Sequence, residues 1–103
     1  MKPISIRARA DADIDAVIDH FRENSHARAE RFVDDLEAVI GRIVRGPGSG
    51  SQRYANLAGL DGVRSLPIGR SRYHVFYAEV DDRIVVIRIL HERRDIPSLL
   101  ADQ

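Results

Sequence analysis

The segment Arg88-Ile-Leu-His-Glu-Arg-Arg-Asp95 places His91, Arg93 and Arg94 directly behind an apolar run, with Arg88 inside it. Upstream, Arg64, Arg70, Arg72 and His74 fall in a stretch, 62–78, that contains no acid. A guanidinium is a planar fork that matches carboxylate or phosphate, and an imidazole titrates near neutral pH. Two kinds of chemistry suit such a set. Cleavage of RNA by internal transfer needs a base for the 2′-hydroxyl proton, an acid for the leaving oxygen and cations for the charged phosphorane. Arg64, Arg72 and Arg88 would be the cations and His91 the titrating group. Alternatively, a half-apolar, half-cationic face would capture an extended or helical polypeptide bearing apolar anchors and carboxylates. Purely local roles also fit. His91 could bond a carbonyl at a strand end, and Arg94 with Asp95 could form an ion pair, worth little if exposed.

These residues need elements to hold them. Ile4-Ser-Ile-Arg-Ala-Arg9 alternates apolar and polar and reads as a short first strand. Asp11, Asp13 and Asp15 suit a helix N-terminus, and Ile14, Val17, Ile18 and Phe21 then share one helix face. Asn24-Ser25 breaks the pattern and supplies a cap. A second helix follows, with an apolar stripe of Ala29, Phe32, Val33, Leu36, Val39, Ile40, Ile43 and Val44, ended by Gly46-Pro47-Gly48. The short break between the two predicts an αα-hairpin. Residues 46–62 form a Gly/Ser-rich loop, pinned by Tyr54, Leu57 and Leu60. Its glycines lack the spacing of a phosphate loop. Three antiparallel strands come next: 63–68, 72–80 and 83–90, the last two joined by a tight Asp81-Asp82 turn. A short helix around Ile96–Leu100 closes the chain. The expectation is one α+β domain over residues 1–103: an N-terminal strand and an αα-hairpin packed on an antiparallel sheet.

In the last strand, Ile84, Val86, Arg88 and Leu90 alternate with Val85, Ile87 and Ile89. The second set is expected to meet the helices. The first set then lines the other face, which a small domain rarely leaves bare. Either the C-terminal segment through Leu99 and Leu100 or a partner chain covers it.

Composition narrows the function. Cysteine is absent, which removes disulfide scaffolds and thiolate metal sites and suits a reducing cytoplasm. No signal peptide is recognisable at Met1–Ser5, and no apolar run is long enough to span a bilayer, so no membrane role is expected. Net charge is zero, so the whole chain has no general attraction to nucleic acid.

The pattern resembles a known family. Arg64-Ser-Leu-Pro-Ile68, then Tyr73-His-Val-Phe-Tyr77, then Ile87-Arg-Ile-Leu-His91 with Arg94-Asp95, and the helix pattern Ala29, Phe32, Leu36, are similar to the ParE branch of the RelE/ParE toxins. The resemblance spans about Ile4 to Leu100. It implies a type II toxin bound by a cognate antitoxin, the latter of ribbon-helix-helix type. The ParE branch is associated with poisoning DNA gyrase, and the RelE branch with cleaving mRNA on the ribosome. RelE-type sequences carry several Lys or Arg on the sheet and a Tyr or His near the C-terminus. Here the sheet has no Lys, and no Tyr or His follows His91. The residues therefore favour a binding inhibitor with no catalytic site, no cofactor, no metal and no direct DNA contact of its own. If the chain were a nuclease, His91, Arg88, Arg64 and Arg72 would carry it. The residues expected to bind antitoxin or target are Arg64, Arg72, Ile84, Val86, Arg88, Leu90, His91, Arg93 and Arg94.

Overall fold

A computed structural model describes residues 1–57, 59 and 61–102. Strand β1 (Ile4–Ile6) leads into helix α1 (Ala8–Asn24), and α2 (His26–Arg45) follows after one residue. A 3-10 turn (Pro47–Ser49) opens the long loop. Strands β2 (Arg64–Pro67), β3 (Tyr73–Val80) and β4 (Arg83–His91) follow, then helix α3 (Ile96–Ala101). The sheet order is β1-β4-β3-β2.

Local chemistry accounts for the element ends. Ser25 is extended and caps α2, its side chain accepting from the Arg28 N–H at 3.4 Å. Gly46 ends α2, its N–H donating to the Arg42 carbonyl at 2.9 Å. The Asp81-Asp82 turn puts Asp81 at φ 55°, a conformation Asp tolerates, and pairs Val80 with Arg83. β1 is shorter than its alternation suggests. Arg7 already accepts a helical bond from the Asp11 N–H at 2.9 Å, and Ala10, fully buried, belongs to α1. Ala8, Ala10 and Ala12 have high helix propensity, which suits the early helix start.

The α+β architecture and the three consecutive antiparallel strands are as expected. One feature is additional: β1 runs parallel to β4, pairing Ile4 to Ile84 and Ile6 to Val86, so the sheet is mixed. Both faces of the sheet are covered. On one side the helical hairpin packs Val17, Phe21, Phe32, Leu36, Val39 and Ile43 against Val75, Tyr77, Ile84, Val86 and Ile89. On the other, α3 brings Ile96 and Leu100 onto Val63, Phe76, Ala78, Val85, Ile87 and Leu90. Tyr54 and Leu57 of the loop join this second core, whereas Leu60 lies outside the described residues.

This corrects the face assignment of the last strand. Ile84 and Val86 lie under the helices, and Val85 and Ile87 face α3. Strict alternation also fails. Phe76 pairs with Arg88 but Tyr77 pairs with Val86, so Ile87 is an extra residue, a β-bulge. Beyond it the phase shifts, which puts Ile89 with Val86 on the helix side and Leu90 with Ile87 on the α3 side. A strand buried on both faces reads as a continuous apolar run, so hydrophobicity carries no information about which face is which.

Candidate interaction surface

The nine residues singled out from the sequence do not form one site. Ile84 and Val86 are fully buried and Leu90 nearly so; they are core and offer no contact surface. Arg88 is turned onto α1. Its Nε donates to Asp13 Oδ2 at 2.8 Å and its NH2 group to Oδ1 at 3.1 Å, a two-point pair that is largely buried. Asp13 Oδ2 also accepts from the Ile89 N–H at 2.9 Å. β1 has ended by this point on β4, so the Asp13 carboxylate serves a strand N–H past the end of β1. The pair holds the Arg88 guanidinium more firmly protonated than usual, chiefly through the Asp13 hydrogen bond.

Arg64 is engaged too, in its case by backbone. Its NH1 group donates to the carbonyls of Gly48 and Gly50 at 3.1 and 3.0 Å. The same loop is gripped from below by Tyr77. Its hydroxyl donates to the Pro47 carbonyl at 2.8 Å and accepts from the Gly50 N–H at 3.0 Å. Gly50 is required by space: a Cβ there would lie 2.5 Å from the Tyr77 hydroxyl oxygen. Burial pushes the Tyr77 hydroxyl above its ordinary 10.0.

The remaining four residues, Arg72, His91, Arg93 and Arg94, do gather at one end of the sheet. The Glu92 N–H donates to the Arg72 carbonyl at 2.9 Å and so joins the β4–α3 loop to the β2–β3 turn. Glu92 sits between Arg72 NH1 at 3.3 Å and His74 Nε2 at 3.4 Å. The hydrogen bond from His74, aided by Arg72, lowers the Glu92 pKa below 4.5. His91 packs edge-on against Tyr73 with ring centroids 5.0 Å apart, and its Nδ1 accepts from the Arg93 N–H at 3.1 Å. Its partner is therefore an amide rather than a carbonyl. Arg93 and Arg94 are exposed. Asp95 does not pair with Arg94 among the described residues; it caps α3, accepting from the Ser98 N–H.

Several structurally important groups were not legible as such. Asp13 read only as one of three acids near a helix start, because its partner lies 75 positions away. His74 stands out only as part of an acid-free basic stretch, and Glu92 carries a weak signal because it lies between His91 and Arg93. The aromatic set Phe21, Phe32 and Tyr73, with centroids 5.6 to 6.0 Å apart, joins three elements that only folding brings together. Among the described residues no three potential metal ligands come together, and no helix is long and apolar enough to cross a membrane.

Comparison with known proteins accords with this architecture. A family model described as the ParE toxin of the type II toxin–antitoxin system parDE matches residues 4–96. The chain is 29% identical over 101 residues to a protein named Toxin ParE from Escherichia coli, covering 95% of this chain and 92% of that one. It also superimposes on a chain of the chromosomal ParDE system from P. aeruginosa with a TM-score of 0.72 and 23% identity, over 88% of this chain and 96% of the other. A family match that runs from β1 to the first residue of α3 takes in both helices of the hairpin and all four strands, and on that ground the chain belongs to the ParE toxin family of type II toxin–antitoxin systems.

Proposed function

We propose that this ParE-family toxin acts by binding a protein, DNA gyrase, in the cytoplasm, and that a cognate antitoxin of ribbon-helix-helix type neutralises it by binding. The observation that carries the choice of binder over nuclease is the engagement of the arginines. Arg64 holds the loop carbonyls, Arg88 holds Asp13, and Arg72 meets Glu92. A phosphorane needs cations that converge on one point and are not already neutralised. These three stand in different places and have other partners. His91 packs edge-on against Tyr73, and its Nδ1 is taken by the Arg93 N–H. Gyrase is the target that family resemblance implies.

A supercoiling assay with the purified chain tests this reading. Inhibition with a trapped cleavage complex is the expected result. Growth arrest on expression without any effect on gyrase would remove that target. Ribosome-dependent mRNA cleavage that disappears in a folded His91→Ala variant would replace the binder with a nuclease.

A further inference from the structure

A hollow of about 170 Å³ opens where the end of α1, the first turns of α2 and the β2–β3 turn meet. Phe21 and Phe32 form its floor, with Arg28, Arg31 and Arg70 on the rim and Asp35 the one carboxylate. The Arg28 guanidinium lies over the Phe21 ring at 5.4 Å. Asp35 stands against Gly69, where a Cβ would collide with it, and no rim arginine comes within ion-pair distance of it. Among the described residues Arg31 and Arg70 have no carboxylate partner at all. The rim thus has more guanidinium than the fold uses.

We propose that this hollow docks an acidic peptide segment of a partner protein, with one leucine or aromatic side chain on the phenylalanine floor and flanking carboxylates held by Arg31 and Arg70. The inference rests on the reading that this chain works through protein contacts, and it assigns a surface to one of them. Size decides against a cofactor, since pockets for such ligands run to about 300–1,000 Å³. A single anchoring side chain fits the space, and anchors of that kind dominate peptide affinity. The guanidinium fork matches a carboxylate at two points. Nucleic acid suits the site less well. The chain as a whole carries no net charge to draw a phosphate backbone.

Three capped hexapeptides titrated into the ¹⁵N-labelled full chain provide the test: EDLFDE, the uncharged QNLFNQ, and EDAADE, which lacks the anchors. EDLFDE is expected to shift the amides of residues 28–32 and 70–71, more strongly than either control. Arg31→Glu and Arg70→Glu, both at exposed positions with a wild-type-like spectrum, should each weaken it about tenfold. Equal shifts from QNLFNQ or EDAADE, no shifts at these amides, or tighter binding there by a dodecamer oligonucleotide would overturn the proposal. Gyrase inhibition measured in parallel separates the two ideas. Inhibition with no peptide binding removes the docking hollow alone, and peptide binding without inhibition removes gyrase alone.

Discussion

At the scale of single residues, polar side chains in this protein mostly serve the backbone. Arg64 and Tyr77 fasten one loop from two sides, and the Tyr77 hydroxyl both donates and accepts there. Replacing Tyr77 with Phe strands the Pro47 carbonyl and the Gly50 N–H and should cost about 1–3 kcal/mol at neutral pH. The difference from wild type is also pH-dependent. Burial raises the Tyr77 pKa, so its protonated form is favoured in the folded state. The unfolded chain loses that proton first. The stabilisation is therefore complete below about pH 10 and declines as pH rises through and above it. In denaturant titrations the gap between wild type and Tyr77→Phe should narrow from pH 9 to 11. A gap of constant width across that range would show that the hydroxyl is not held neutral by burial.

Between elements, the Asp13–Arg88 pair ties α1 to β4 beside the bulge. Both members are largely buried, so removal of one leaves the other without compensation. Asp13→Ala, which also frees the Ile89 N–H, and Arg88→Ala should each destabilise by roughly 2–4 kcal/mol. The double variant should lose clearly less than the sum of the two. Additive losses by chemical denaturation would mean that the pair makes no joint contribution. The hairpin stripe needs a distinction that periodicity did not make. Leu36 is buried, whereas Ile40 is only half-buried at the edge of the core. A charge at position 36 thus strikes the structure harder than one at 40, although both positions lie on the same heptad-like stripe.

For the whole molecule, the decisive feature is a sheet with two hydrophobic faces, one of them closed by a single short helix together with Tyr54 and Leu57 of the long loop. α3 has six residues, of which Ile96 and Leu100 enter the second core. Truncation after Asp95 would uncover Val63, Phe76, Ile87 and Leu90, an apolar patch too continuous for a soluble monomer. The truncated chain is expected to bind a hydrophobic dye and to sediment as aggregates. A dye-silent monomer would show that α3 is dispensable for covering that face. The sequence alone determined the element order, the helical hairpin with its stripe, the tight Asp81-Asp82 turn and the α+β class, because these rest on local periodicity, caps and turn chemistry. Only the tertiary structure decided which side of β4 meets the helices, since a strand covered on both sides is apolar throughout and a bulge breaks its alternation. The partners of Arg64 and Arg88 were likewise beyond reach. A buried cation chooses its counterpart by three-dimensional proximity, and nothing in a linear chain of residues records that Asp13 waits 75 positions away.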